Sequence, residues 1–474
     1  MGGAPLVIDL DGALLRSDLL VETSLLLLRD HPRQCLLPFG WLARGKALLK
    51  HKLAERVNLD VTVLPYDENV LAFIRKARTE GRRVVLATAS HERLAGLVAR
   101  HLGVFDEVLA SHARLNLAGE AKRDALLARY GEKGFDYLGN SRDDLPVWRV
   151  ARKAFAANAS FHCERKARAL TNFEGVISCR KDRAADWIKA LRLHQWLKNL
   201  LIFVPLLAAH RYAELPLLSQ AMLAFFCFGL CASSVYLLND LLDLRDDRHH
   251  AKKRLRPFAS GRLSPGTGLL VFPLLLCVAF AVALCWLPLA FTLGVLVYYG
   301  LTLAYSLWLK RLMIVDVMTL AILYTLRIVI GGVTLSIPLS FWLLAFSVFI
   351  FLSLALVKRY VELLPLREKG NGEKARGRGY HAEDFPMIMA LGAASGYTAV
   401  MVLALYINDP VTRQYYHHPE FIWFSCLLLL TWISRVWILA HRGMMHDDPV
   451  IFAAKDKVSL GIVALIALVF WSAI

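Results

Sequence analysis

From about Lys198 to the end, the chain is a succession of apolar runs long enough to approach or meet the span of a bilayer. No other feature limits the fold so strongly. A spanning helix needs about 20 mostly apolar residues, because it rises 1.5 Å per residue through a hydrocarbon layer about 30 Å thick. Such runs lie near 198–209, 217–238, 267–285, 287–306, 313–333, 339–357, 386–407, 419–440 and 458–474. They predict an all-α polytopic membrane domain of about nine helices, the first being the weakest. Residues 1 to about 190, in contrast, read as an ordinary charged globular sequence. The overall apolar fraction of 57% is therefore a composite of two domains in two solvents. The expected division is a soluble domain over 1–180, an interfacial linker helix over 181–197 and the membrane domain over 198–474.

The distribution of charge gives an orientation. The loops 239–265, 307–312, 358–385 and 441–457 hold nearly all the Lys and Arg of the second half, whereas 210–216, 334–338 and 408–418 hold only Arg211 and Arg413. Rich and poor loops alternate as nine spans require. By the positive-inside rule, the N-terminal domain and the basic loops are expected in the cytosol, with the C-terminus outside, in an inner (cytoplasmic) membrane. The net charge of +17 lies in these short loops rather than on one soluble face, which argues against a nucleic-acid partner. Eight cysteines form no CxxC pair and no zinc spacing, and Met1 to Asp9 lacks the character of a signal peptide. A cytosol-facing, reduced protein fits these observations. The sequence leaves the oligomeric state open, a homo-oligomer included.

Within the first 180 residues, Leu6–Leu10, Arg83–Thr88, Glu107–Ala110, Phe135–Leu138 and Ala154–Ala157 are short apolar, strand-like runs. Asp67–Thr79, Glu92–Leu102 and Ala121–Tyr130 between them have helical apolar spacing, and the alternation predicts a doubly wound parallel sheet. Residues from about 15 to 66 interrupt the rhythm with helical sequence directly after the first strand. An insertion there would lie over the carboxyl ends of the strands, as a cap.

Four stations in this domain carry chemistry: Asp9-Leu10-Asp11-Gly12 after the first strand, Thr88 ending the second, Lys122 opening a helix, and Gly139-Asn140-Ser141-Arg142-Asp143-Asp144. In this order and spacing they resemble the haloacid dehalogenase superfamily of phosphohydrolases over roughly residues 5–175. The resemblance implies a Rossmann-like domain with a helical cap, in which Asp9 is the nucleophile and Asp11 the general acid/base. Thr88 and Lys122 would bind the transferred phosphoryl group, and Asp9, Asp11, Asn140 and Asp144 would hold Mg²⁺. One departure stands out, because the family's fourth motif usually begins Gly-Asp and here begins Gly139-Asn140. An amide oxygen is an uncharged, weaker magnesium ligand. A domain that folds and binds without hydrolysing stays open as the alternative.

The loop after the second span reads Asn239-Asp240-Leu241-Leu242-Asp243-Leu244-Arg245-Asp246-Asp247 and continues into a basic stretch with Lys253, Arg254 and Arg256. If the helix of the span continues, Asp240, Asp243 and Asp247 fall at i, i+3 and i+7 and share one face. Three aligned carboxylates at the end of an apolar helix would repel one another unless a cation joined them, so they read as a magnesium and diphosphate site.

This NDxxDxxxD pattern, followed by Arg256-Pro257-Phe258-Ala259-Ser260-Gly261, resembles the UbiA superfamily of intramembrane prenyltransferases over about 185–474. That family's second acidic motif, DxxxD, is reduced here to Asp316, with Leu320 four residues on. The chain also carries a surplus of cations at or inside the spans: Lys198, Lys253, Arg254, Lys310, Arg327, Lys358 and Arg359. An aromatic prenyl acceptor brings one carboxylate at most, whereas phosphoribosyl diphosphate and a polyprenyl phosphate bring several phosphate groups, which suit Arg and Lys. Together with Asn239, Tyr305 and the motifs around Lys198, Lys310 and Lys358-Arg359-Tyr360, these cations resemble the decaprenyl-phosphate phosphoribosyltransferase branch. The resemblance implies Mg²⁺-dependent transfer of 5-phosphoribose to a polyprenyl phosphate with release of diphosphate, a step of cell envelope biosynthesis, and the fusion itself suggests that the phosphohydrolase-like domain dephosphorylates the product. The alternative kept open is prenyl transfer from a prenyl diphosphate to an aromatic or other small acceptor, beside a degenerate or regulatory N-terminal domain. Arg327, about 20 Å into a span and on nearly the same face as Asp316, is expected to need an anionic partner.

Overall fold

Strand and helix alternate in the N-terminal region to give one six-stranded, wholly parallel sheet in the order β3-β2-β1-β4-β5-β6. The strands are β1 (Leu6–Ile8), β2 (Val84–His91), β3 (Glu107–Ser111), β4 (Asp136–Gly139), β5 (Lys153–Ala157) and β6 (Phe173–Ser178). Five match the predicted runs. β6 was not anticipated, because Phe173-Glu174-Gly175-Val176-Ile177-Ser178 is too mixed to stand out as apolar. The period of two decides the packing: Leu6, Ile8, Val84 and Leu86 enter one core, while Val7, Val85 and Ala87 enter the core on the opposite face. The strand order changes direction between β1 and β4, the place where such sheets open a crevice at their carboxyl ends.

The computed structural model describes residues 3–179, 184–367, 379–409, 414, 416–445 and 448–473. Arg413, Ile474 and residues 368–378 of the basic loop 358–385 lie outside them. The chain divides into two compact units, Met1–Leu191 with Tyr236–Pro273, and Arg192–Val235 with Leu274–Ile474.

In the first unit the insertion after β1 is helical, with α1 (Leu19–Asp30), α2 (Leu37–Ala43) and α3 (Lys46–Arg56). Asp18 starts α1 by accepting hydrogen bonds from the backbone N–H groups of Leu20 and Val21. The acidic loop packs with these residues. Gly261, at φ +70°, adopts a left-handed conformation, and a Cβ on it would lie 2.7 Å from Cβ of Arg16, so the close approach requires glycine there. Phe258 is fully buried against the edge of Trp187, and Arg262 pairs with Asp186 at 3.0 Å.

The second unit is helical. Over the chain, seven described helices are long and apolar enough to cross a membrane: Leu215–Leu242, Pro265–Trp286, Leu289–Leu307, Val315–Leu335, Phe341–Leu364, Ala382–Asn408 and Pro419–His441. The count of nine is not confirmed. Where the first and ninth spans were expected stand the shorter apolar helices Leu193–Ala208 and Lys457–Ala473. The former is 3₁₀ from Leu193 to Phe203, and the latter has 17 residues. Close helix contacts in this unit depend on small residues. Gly392 and Gly396, four apart, face Trp437 and Ile433, where a Cβ would meet side-chain carbons at 2.0 and 2.7 Å.

Candidate functional site

At the carboxyl end of β1 the backbone delivers Asp9 and Asp11, and the loop after β4 delivers Asn140 and Asp144. Lys122, from the helix Glu120–Tyr130, reaches between them. Its Nζ donates to Asp9 Oδ1 at 2.7 Å and to Asp144 Oδ1 at 3.4 Å, and lies 3.0 Å from the Tyr137 hydroxyl. Tyr137 donates to Asp144 Oδ1 at 2.6 Å, and the backbone N–H groups of Asn140 and Ser141 donate to Asp144 Oδ2, both at 2.9 Å. Asp11 accepts from Ser90 Oγ at 2.6 Å, Leu19 N–H at 2.8 Å and Thr88 Oγ1 at 3.3 Å. All the residues predicted for this station converge.

Burial pushes the Asp9 carboxyl up to about 7, opposed by Lys122 and reinforced by Asp144, and it pushes Asp11 up to about 6, with Asp18 adding to the shift. Burial also works against the charge of Asp144, but Lys122 and the hydrogen bonds from Tyr137 and the loop outweigh it and hold its carboxyl below the usual range. Asn140 Oδ1 is buried with no hydrogen-bond donor. A buried acceptor without a donor, beside carboxylates that burial drives toward protonation, fits a cation.

In the acidic loop the expected continuous helix breaks. It ends at Leu242, Asp243 takes φ −93° and ψ 9°, and a six-residue helix, Leu244–His249, follows. Two backbone bonds carry the helical connection across the break, Asp243 N–H to Asn239 O at 2.9 Å and Asp247 N–H to Asp243 O at 2.8 Å. Asp240 and Asp247 therefore still meet, and both are buried. Arg256 Nη1 bridges them, at 3.0 Å from Asp240 Oδ1 and 2.7 Å from Asp247 Oδ2. Asp243 instead contributes to the field that holds the charge of Arg29. Burial pushes Asp247 up to about 6 against the pull of Arg256, with Asp240 raising it further. Among the described residues no three His, Cys, Asp or Glu side chains are grouped as a metal cage. In each acidic cluster a basic side chain stands between the carboxylates, and the guanidinium of Arg256 takes the place between two oxygens that a divalent cation would fit. Asn239 is half-buried, while Lys253 and Arg254 are exposed on the loop.

In the second unit, Lys198 and Lys358 share one carboxylate, Asp448, at 2.7 and 3.3 Å from its Oδ2. Burial opposes the charge on Asp448, but the two lysines hold it well below the usual carboxylate range. Arg327 is buried in its helix and bonded to neutral groups: Asn199 Oδ1 at 3.2 Å, the Tyr298 hydroxyl at 2.9 Å and the Leu323 carbonyl. The rings of Phe228, Tyr298 and Tyr324 pack around it within 4.8–5.5 Å. Asp316 is not its partner. That carboxylate lies 2.6 Å from Arg359 and accepts from the Tyr380 hydroxyl at 2.6 Å, and both Asp316 and Arg359 are fully buried. Glu362 also bonds Arg359. The remnant of the second acidic motif thus forms a pair of its own. Tyr305 and Lys310 are half-buried near the end of the helix Leu289–Leu307.

Residues 200–442, just over half of the chain, match the UbiA prenyltransferase family. The chain belongs to that family. Its residues 6–149 match the haloacid dehalogenase-like hydrolases, so the UbiA membrane domain is fused to an N-terminal HAD domain. The uncharacterized protein y4nM of Sinorhizobium fredii is 39% identical over 98% of this chain and 90% of its own. The nodulation protein NoeC of Azorhizobium caulinodans is 37% identical over 58% of this chain and 88% of its own. The decaprenyl-phosphate phosphoribosyltransferase of Mycobacterium tuberculosis is 38% identical over 38% of this chain and 60% of its own, so the chain spans less than two thirds of that enzyme.

Sequence reasoning passed over Ser90, Tyr137, Glu22 and Asp448. Two of them carry a signal. Glu22 is a lone acid within an otherwise apolar helical run, and Asp448 is an acid in a basic loop, immediately before Pro449.

Proposed function

We propose that the UbiA domain transfers 5-phosphoribose from phosphoribosyl diphosphate to a polyprenyl phosphate, and that the HAD domain removes phosphate from the phosphoribosyl lipid. The observation that carries this reading is the charge balance of the second unit, where Lys198 and Arg327 are buried and Lys358 is half-buried. Lys198, Lys358 and Arg327 bring three positive charges, and among the described residues Asp448 is the one carboxylate paired with any of them. Buried cations at membrane depth need anions, and a substrate rich in phosphate supplies them. The 38% identity to a decaprenyl-phosphate phosphoribosyltransferase supports the same branch.

In this reading Asp240 and Asp247 hold the magnesium–diphosphate group, with Asp243 beside them, and Arg256, Lys253 and Arg254 receive the diphosphate once it is bound. The bound metal would neutralise the departing diphosphate. The bond from the anomeric carbon to the diphosphate oxygen breaks, its electron pair leaving with the diphosphate, and a bond to an oxygen of the lipid phosphate forms. The protein contributes position and charge stabilisation rather than covalent chemistry. In the HAD domain, Asp9 would take the phosphoryl group while Asp11 protonates the leaving oxygen, a water deprotonated by Asp11 would then attack phosphorus and release phosphate from Asp9, and Lys122 and Thr88 would hold the phosphoryl oxygens. Asp9, Asn140 and Asp144 offer the oxygens for its magnesium. By the positive-inside argument the HAD domain and the basic loops face the cytosol of an inner membrane.

The test is mass spectrometry of lipid products from the purified full chain with Mg²⁺, phosphoribosyl diphosphate and a polyprenyl phosphate. A phosphoribosyl lipid is expected first, then its dephosphorylated form, with only the former accumulating in Asp9→Asn. Transfer of a prenyl group to an aromatic acceptor without consumption of phosphoribosyl diphosphate would overturn the reading.

A further inference from the structure

The helix Leu244–His249 carries Asp247 and has only six residues, far too short to be stable by itself. What fixes it comes from the cap of the HAD domain. Arg248 Nη2 and Nη1 reach Glu22 of α1 at 2.6 and 3.0 Å, a bidentate pair with both side chains under 5% exposed. Ser17 donates to the same carboxylate, and Arg248 Nε donates to the Ala259 carbonyl at 3.1 Å. On either side, Arg29 of α1 pairs with Asp246 at 2.5 Å and Asp60 pairs with His249 at 3.0 Å. Residues 246, 248 and 249 are thus all tied to the cap, and the residue left between them is Asp247.

We propose that Glu22 is a positioning residue for the acidic motif: by clamping Arg248 it sets Asp247 opposite Asp240, so that the cap of the HAD domain is a working part of the UbiA metal–diphosphate site. A bidentate pair fixes direction as well as distance, which a single ammonium would not do. The outer pairs have partly exposed partners, Asp246 at 62% and His249 at 45%, and hold the helix loosely by comparison. A cap fastened in this way is an anchored element rather than a freely hinged lid.

The inference rests on the reading of Asp240 and Asp247 as metal ligands, and the experiment separates the two. Mn²⁺ binding is measured by electron paramagnetic resonance on the full chain carrying Asp9→Asn and Asp11→Asn, so that the HAD site contributes no metal. Binding in this parent that disappears with Asp240→Asn plus Asp247→Asn establishes the acidic site. Its absence overturns the metal reading, and the clamp with it. With the site established, Glu22→Gln is expected to weaken Mn²⁺ at least 10-fold and Arg29→Ala less than about 2-fold. If Glu22→Gln fails to fold, Glu22→Asp serves, since it keeps the charge but withdraws the carboxylate by one methylene, and a weakening of about 3-fold or more is expected. In an active enzyme the same Glu22 variants should raise the KM for the diphosphate donor more than they lower kcat. Parent-like Mn²⁺ affinity in folded Glu22→Gln or in Glu22→Asp overturns the clamp and leaves the metal reading standing.

Discussion

The two acidic clusters of the first unit solve the same electrostatic problem in different ways. In the HAD domain, Lys122 lies between Asp9 and Asp144 and is itself buried, held by Tyr137 and by the strand ends around it. In the acidic loop, Arg256 lies between Asp240 and Asp247 with its side chain 29% exposed and comes from a loop. The first cation is built into the site. The second can move aside, because water can take over part of its solvation. In the proposed reading both sites take a divalent ion, and only the acidic loop holds a cation placed to move aside for it.

The largest effect expected from this contrast is on Asp247. Asp247→Ala should lower transfer by several orders of magnitude, as removal of a metal ligand to a leaving group does, measured as kcat/KM for the diphosphate donor. A loss below 10-fold would mean that the bridge to Arg256 is structural only. Next, Lys122→Met should destabilise the first unit by roughly 3–5 kcal/mol in denaturant unfolding, since it strands buried carboxylates, whereas Arg256→Met should leave the fold intact and raise the donor KM. Similar unfolding free energies for the two variants would erase the distinction.

Arg327→Ala sharpens the comparison from the second unit. It should weaken binding of one phosphorylated substrate by roughly 2–5 kcal/mol, read from KM or direct titration. A purely structural arginine would lower thermal stability without changing either KM. The smallest expected effect concerns a carboxylate with no catalytic duty. Burial works against the charge on Asp67, but hydrogen bonds from Asn158, Ser178 and Arg16 outweigh it and lower its pKa. A depressed acid adds stability that is present above its unfolded pKa and lost as pH falls through the folded value. Asp67→Asn should therefore cost about 1–3 kcal/mol at neutral pH and flatten the acid limb of the stability curve. An unchanged acid limb would show that other carboxylates govern it.

Much of this was legible beforehand, because the relevant signals are local. Short apolar runs marked β1 to β5, the helical sequence of 15–66 marked the insertion, and Asp9, Asp11, Thr88 and Lys122 were located by their stations along the chain. The exceptions share a cause. The break at Asp243 reflects packing of the following turn, and no propensity in Asn239–Asp247 announces it. Asp316, the remnant of the second acidic motif, and Arg359, one of the surplus cations, were both expected at the substrate, and they pair with each other across 43 positions of sequence. The count of nine spans is left unconfirmed at its first and last runs, where Leu193–Phe203 winds as 3₁₀ helix and the apolar helix Lys457–Ala473 has 17 residues.

The sequence by itself determined the division into a charged α/β domain and an apolar helical one, the order of the acidic stations and the surplus of cations, since each follows from composition or spacing within one element. Tertiary structure alone decided which charges meet. Glu22 and Arg248 are 226 residues apart, and Lys198 and Asp448 are 250 apart. Pairing at such separations depends on packing of apolar faces that carry no label for their partners, while the cost of burying an unpaired charge selects the arrangements in which these few side chains find one another.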